Sequence, residues 1–339
     1  MTPPLAPTGL RVSHDVRACA QHLAAGGLLG LPTETVYGLA ADAQNAAAVH
    51  AVFALKGRPP EHPLIVHVAA DEPGATPAWS HFASHAPDWA HTLMQTFWPG
   101  PLTLVLPRRP EVACVMAAGL PTVAVRCPSH PLAQQVLVAA RALGVCGVAA
   151  PSANRFGRIS PTLASHVVDE FVDHADSQTL CVLDGGACDV GIESTIVDAS
   201  RQHPVLLRPG MLDRAAIEAV LGQPLRNPDA AAPRVSGALA SHYAPRTPLR
   251  LWSAADLAEA LPQAGPGVAV YAWASVRKLA PQVPGFDLPD QPAACAHELF
   301  AVLRAMDAMA VQALWVQQPP EHPSWDGVRD RLRRAAHVA

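Results

Sequence analysis

The stretch Gly27-Leu-Leu-Gly-Leu-Pro-Thr-Glu-Thr-Val-Tyr-Gly38 sets a short apolar run directly against a cluster of polar side chains. Residues 27–32 are apolar and bounded by glycine and proline, which reads as a buried strand. Past Pro32, the hydroxyls of Thr33 and Thr35 stand between a proline and Gly38. That composition suits a tight turn presenting hydroxyls and backbone N–H groups to a ligand. A strand-to-helix turn capped by the threonines would use the same residues.

Outward from this segment the pattern repeats. Further strands are expected at 64–68, 102–107, 122–127, 145–150, 181–184, 194–198 and 204–208, with helices at 16–25, 46–55, 87–97, 131–143, 163–171 and 213–221. Alternating strands and helices indicate an α/β layer structure. Short runs flanked by Gly or Pro fit a strongly twisted mixed sheet with flanking helices better than a regular doubly wound one. Residues 224–248 show no periodicity and collect Pro, Ala, Ser and Gly, the mark of a linker. Beyond it, strands at 249–252, 267–272 and 313–317 alternate with helices at 254–261, 293–309 and 325–336, a smaller three-layer, Rossmann-like α/β unit. The expected domains are therefore 10–223, a linker at 224–248, and 249–339.

Charged residues make up only 15% of the 339, with net charge −4, so a broad grip on a nucleic-acid backbone is not expected. The start carries Pro3, Pro4 and Pro7 without a basic segment leading into an apolar run, so no secretory leader is expected. The longest apolar run, 136–150, is broken by Arg141 and falls short of the roughly 18 residues of a membrane span. Seven scattered cysteines with no CxxC pair read as buried, reduced thiols of a cytoplasmic protein. There is no GxxxxGK[ST], GxGxxG, GxSxG or HExxH, and none of the sixteen histidines has metal-ligand spacing.

Against that charge-poor background, polar segments are conspicuous. Lys56-Gly-Arg58 lies in a Gly/Pro context, where two cations two residues apart can converge on one anion. His67 ends the strand that follows. In Thr122-Val-Ala-Val-Arg126 the alternation puts Thr122 and Arg126 on one face, and a cation inside a strand calls for an anionic partner. Trp98-Pro-Gly-Pro-Leu-Thr103 reads as a rigid turn anchored by a buried Trp. Ala150-Pro-Ser-Ala-Asn154 with Ser160, then Asp184-Gly-Gly186, Gly191–Asp198 and Leu206–Gly210 leave strand ends, the usual place for ligand contacts in an open α/β sheet. His242-Tyr243 is isolated in the linker.

Taken in order, PTETVYGL (32–39), KGRP (56–59), PLIVHV (63–68), WPGPLT (98–103), TVAVR (122–126), PSAN (151–154), SPT (160–162), GIESTIVD (191–198) and LLRPG (206–210) resemble the Sua5/YrdC family of threonylcarbamoyl-AMP synthases. His242-Tyr243 and the C-terminal unit resemble its longer, Sua5 form. The resemblance implies a YrdC-like catalytic domain at 10–223 and a Sua5 C-terminal domain at 249–339; a pure tether needs no His242-Tyr243 cluster, so the linker at 224–248 is expected to fold back over the nucleotide site as a lid. It implies that L-threonine, bicarbonate or CO2, and ATP give threonylcarbamoyl-adenylate and pyrophosphate, with Mg2+ on the ATP and no organic cofactor. Other proteins would then transfer the threonylcarbamoyl group to adenosine 37 of tRNAs reading ANN codons, so tRNA is involved only indirectly. By resemblance, Lys56, Arg58, Thr122, Ser152, Asn154, Ser160, Arg208 and Tyr243 line the ATP side. Thr33, His67, Arg126, Ala150 and Ser194 line the threonine side. No nucleophile and no protein metal ligand is implied; positioning and charge neutralisation by Lys56, Arg58 and Arg126 carry the reaction. Two other readings are a carbamoyl-adenylate enzyme and a non-enzymatic RNA-binding or ribosome-maturation module. The first normally adds CxxC zinc modules and the second broad positive charge, and neither feature is present.

Overall fold

The computed structural model describes residues 9–337 other than 72, 73, 75, 113, 175–179, 238 and 240. Residues 1–8, on which the expectation about a secretory leader falls, and two linker alanines lie outside the described residues. In the first unit the elements run β1 (Arg11–Ser13), α1 (Val16–Ala24), β2 (Leu28–Leu31), β3 (Gly38–Asp42), α2 (Ala46–Lys56), β4 (Ile65–His67), α3 (Asp88–Phe97), β5 (Leu102–Pro107) and β6 (Thr122–Arg126). They continue with α4 (Pro131–Arg141), β7 (Val148–Ala149), α5 (Ala164–Phe171), β8 (Leu180–Leu183), β9 (Thr195–Asp198), β10 (Val205–Arg208) and α6 (Arg214–Leu221). Ten strands form one mixed sheet in the order β1-β8-β2-β3-β7-β4-β6-β5-β9-β10.

Local chemistry sets these boundaries. The Asp15 carboxylate accepts from the N–H groups of Arg17 and Ala18 and starts α1. Gly57, at φ +63°, ends α2 in the left-handed conformation, which makes Lys56 the helix's last residue. β2 and β3 pair antiparallel, Leu31 opposite Gly38, so residues 32–37 form the loop of a hairpin. The strand-to-helix alternative for this loop is thereby excluded. β4 and β6 pair in parallel with His67 beside Arg126, and β5 brings Thr103 to the other side of Arg126. Three strand ends thus deliver their polar residues to one place.

The second unit comprises β11 (Leu249–Trp252), α7 (Ala254–Ala260), β12 (Val268–Ala272), α8 (Ala274–Arg277), β13 (Gly285–Asp287), α9 (Pro292–Asp307), β14 (Ala313–Gln317) and α10 (Asp326–Ala336). Its four strands pair in parallel in the order β11-β14-β12-β13. Its apolar core does not stop at the unit's edge: Val36, Ile159, Ile192 and Tyr243 pack into the same cluster as Tyr271, Phe300 and Leu332. Among the described residues no helix is long and apolar enough to cross a membrane.

Strands β1, β3 and β13 and helix α8 are additions to the elements expected from sequence. β3 has the sequence Gly-Leu-Ala-Ala-Asp, without a β-branched or aromatic residue to signal it, and it is placed by pairing on both sides. β1 and β13 have three residues each, too few for a period. Trp98 is half-buried rather than buried, and its indole N–H donates to the Leu102 carbonyl at 2.7 Å, closing the expected turn.

Candidate active site

The loop between β2 and β3 is folded around its own hydroxyls. Thr33 Oγ1 donates to the Val36 carbonyl at 2.6 Å and lies 3.0 Å from Thr35 Oγ1. Thr35 Oγ1 accepts from Arg126 Nη1 at 2.8 Å, and the Glu34 carboxylate pairs with Arg126 Nη2 at 2.6 Å. The anionic partner that Arg126 required comes from this loop. Tyr37 Oη donates to the Gly186 carbonyl at 2.8 Å, tying the loop to the Asp184-Gly-Gly186 turn. On the neighbouring strand end, His67 Nδ1 lies 3.3 Å from the Ile65 carbonyl. Burial, then the Arg126 charge, push the His67 imidazole down to about 3, so it is neutral near pH 7.

Opposite stands the segment 191–194 with the end of β10. Ser194 Oγ and Thr103 Oγ1 are 2.8 Å apart. Arg208 Nη2 donates to the Ser194 carbonyl at 2.8 Å, and its Nη1 donates to the Ser236 carbonyl at 2.9 Å. Arg58 Nη2 donates to the Pro63 carbonyl at 3.1 Å and to Ser236 Oγ at 3.3 Å. Ser236, Gly237, His242 and Tyr243 close the site from the linker, leaving a cavity of about 30 Å³. That is room for a water or two, far below the volume of a nucleotide.

All five residues assigned to the threonine side, Thr33, His67, Arg126, Ala150 and Ser194, line this cavity, together with Ser152, Arg208 and Tyr243 from the nucleotide side. The other nucleotide-side residues do not. Lys56 lies behind the 150–154 loop, where its Nζ donates to the carbonyls of Ser152, at 2.6 Å, and Asn154. It ends a helix rather than sitting in an open loop, so Lys56 and Arg58 do not converge on a common partner. The Asn154 amide is turned into its own loop, donating to the carbonyls of Arg155 and Arg158 at 2.7 and 2.9 Å. Ser160 Oγ donates to Glu193 Oε1 at 2.5 Å. Thr122 opens β6, at the far end of that strand from Arg126.

The electrostatics are unbalanced. Lys56, Arg58 and Arg208 are 2%, 6% and 2% exposed, and among the described residues none has a carboxylate within ion-pair distance. Burial, then Arg58, hold the Lys56 ammonium well below its ordinary range. Burial lowers Arg58 to about 10 and lowers Arg208 as well. Three buried cations without counter-ions carry a large desolvation cost, which an anionic ligand offsets.

Sequence reasoning missed Glu34, Glu193, Ser236 and Arg331. Glu34 and Glu193 sit inside quoted motifs, and their signal was that acids are scarce here and so need a reason. Arg331 lies in Arg329-Asp-Arg-Leu-Arg-Arg334, which reads as a solvated helix face, yet it is fully buried.

Residues 21–210 match the Sua5/YciO/YrdC family model, described as telomere recombination. Residues 212–337 match the threonylcarbamoyl-AMP synthase C-terminal domain. The chain is 36% identical to the threonylcarbamoyl-AMP synthase of Pyrococcus abyssi (strain GE5 / Orsay) over 335 residues, 95% of this chain and 94% of that one. To the synthase of Bacillus subtilis (strain 168) it is 41% identical over 230 residues, 66% of this chain and 62% of that one. It superposes on the crystal structure of P. abyssi Sua5 complexed with L-threonine with TM-score 0.83 at 33% identity, covering 98% of each chain. With the fold, the strand-end site and both halves matched, the chain belongs to the Sua5/YrdC family, in its long, two-domain Sua5 form.

Proposed function

We propose that the chain is a threonylcarbamoyl-AMP synthase, joining L-threonine, bicarbonate or CO2, and ATP into threonylcarbamoyl-adenylate with release of pyrophosphate. The observation that carries this is the set of buried, uncompensated cations Lys56, Arg58 and Arg208 beside a second, internally neutralised pocket built on Arg126 and Glu34. The first suits a polyanion. The second suits a zwitterionic amino acid, whose carboxylate Arg126 meets and whose ammonium Glu34 meets.

Each remaining residue has a task in this reading. Nδ1–H of neutral His67 faces the Ile65 carbonyl, which leaves Nε2 to accept the threonine hydroxyl. Thr33 and Ser194 face the same side chain. Once the threonine ammonium has given up a proton, the amine attacks CO2 and releases a second proton, or attacks bicarbonate and expels water; the carbamate oxygen then attacks the α-phosphorus while pyrophosphate leaves. Both steps gather negative charge, so fixed cations supply most of the stabilisation. Lys56 gives two of its three donors to carbonyls and keeps one for a phosphate oxygen. Mg2+ is proposed to ride on the phosphate oxygens, because Glu34 and Glu193, the carboxylates at the site, are each held by an arginine; it would neutralise the leaving pyrophosphate. The product is a mixed anhydride, and the linker, 224–248, is proposed as a lid that shields it from water. The product would pass to transferase proteins acting on tRNA in the cytoplasm.

Incubating the purified protein with ATP, bicarbonate and threonine and following pyrophosphate tests the reading. Threonine-dependent release is expected. Threonine-independent release would instead support a carbamoyl-adenylate enzyme, and no release a binding module.

A further inference from the structure

Arg331 is the largest fully buried side chain of the described residues and belongs to α10, in the C-terminal domain. All its polar contacts but one run to the other domain. Nε donates to Glu193 Oε2 at 2.9 Å, Nη2 to the Glu193 carbonyl at 3.1 Å, and Nη1 to the Pro209 carbonyl at 2.6 Å. The exception is its neighbour Asp330, 3.0 Å from Nη1. Its guanidinium also lies 5.5 Å from the centre of the Tyr243 ring. Pro209 follows Arg208 directly, and Glu193 precedes Ser194, so one side chain fixes both segments that the nucleotide side depends on. The backbone fit is close: a Cβ on Gly327 of α10 would lie 2.7 Å from the Gly210 carbonyl oxygen.

Charge makes the contact more than a brace. Glu193 lines the cavity together with Arg208, one of the cations proposed for the triphosphate, and unpaired it would repel that triphosphate. Burial alone would raise its carboxyl; Arg331, Arg208 and the Ser160 hydroxyl more than reverse this, so it stays ionised with its charge committed. The groups facing it are Ser160, Lys56, Arg208, Tyr243 and Arg331, with Asp330 on the far side against Arg331.

We propose that Arg331 is a positioning residue for the nucleotide side, neutralising Glu193 and holding Ser160 and Arg208 in place, so that the C-terminal domain completes the ATP site. This rests on the reading that the cavity takes ATP. Steady-state kinetics of the full-length wild type, Arg331→Met, Glu193→Gln and the double variant test it. Losing a charge-assisted pair beside the phosphates should raise the ATP KM of Arg331→Met about tenfold or more, with the threonine KM within about twofold. Adding Glu193→Gln should bring the ATP KM back toward wild type, because no charge is then left to neutralise. If Arg331→Met does not fold, the double variant, with no bare buried charge, decides. An unchanged ATP KM in Arg331→Met, or a double variant as impaired as the single one, overturns the proposal. A wild type with no threonine-dependent turnover overturns the synthase reading along with it.

Discussion

Arg126 is held by Thr35 Oγ1, the Glu34 carboxylate and, at 3.4 Å, the Gly100 carbonyl, so its fork is oriented before a substrate arrives. Arg126→Ala removes that fork and strands Glu34 as a buried charge. Turnover at saturating ATP and threonine should fall roughly ten- to a hundredfold or more, and near-wild-type turnover would refute the role. Lys56→Ala should cost similar activity but also stability, since it takes a donor from two carbonyls at about 1–3 kcal/mol each. A melting curve beside the pyrophosphate assay separates the two effects. Threonine should be used far better than valine, by up to about 10⁴-fold, because valine leaves the polar groups around its methyl unpaired; serine, lacking only a methyl, should be used weakly. Equal rates with valine would contradict the pocket built on Thr33, His67 and Ser194. At this scale the sequence was most readable where a residue broke a background. Arg126 stood out as a cation in a strand of a charge-poor chain. Asn154 looked equally functional by type, and only the loop's geometry shows its amide spent on the Arg155 and Arg158 carbonyls.

The described linker residues 234–237, 239 and 241–245 form a strap held by both domains rather than tethered loosely between them. Arg334 of α10 donates to the Leu239 carbonyl, and its own carbonyl accepts from the His242 N–H at 3.3 Å. Tyr243 sits at φ +64°, a strained position for a non-glycine residue, with its ring 5.4 Å from that of Phe300. At Gly237, φ +72°, a Cβ would lie 2.4 Å from Tyr243 Oη and 2.8 Å from Arg208 Nη1. Gly237→Val should therefore keep the strap from seating. The expected result is slower synthesis and more AMP, from hydrolysed intermediate, per pyrophosphate released; an unchanged AMP-to-pyrophosphate ratio would show that closure does not protect the product. Composition marked this segment as a linker and His242-Tyr243 as its distinctive pair. Its path was not legible, because it depends on Arg208, Arg334 and Phe300, which are distant in sequence.

Across the whole molecule, His67 and His242 are buried and neutral, one in the substrate pocket and the other between the domains. Burial comes first for both. His242 is then lowered by Arg58, Lys56, Arg208 and Arg331, to well below its ordinary 6.5, and His67, at about 3, by Arg126. Because the unfolded chain takes up these protons near pH 6.5 and the folded chain resists them, their stabilisation is complete above pH 6.5. It is lost progressively as pH falls toward the folded values. In that window each group weakens folding by about 1.4 kcal/mol per pH unit. The melting temperature should accordingly drop steeply between pH 6.5 and 4.5, with His166, lowered to about 4 by burial, adding to the fall, and His242→Asn should flatten the slope by removing one of these protons. Three of the four cations that depress His242, Arg58, Lys56 and Arg208, are those proposed to meet the triphosphate, so ATP should relieve their repulsion. Nucleotide is therefore expected to raise the melting temperature more at pH 5 than at pH 7.5, measured at saturating ATP in both cases. A larger gain at pH 7.5 would mean that the bound phosphates do not reach the cluster around His242, and that the strap and the nucleotide occupy separate parts of the cleft.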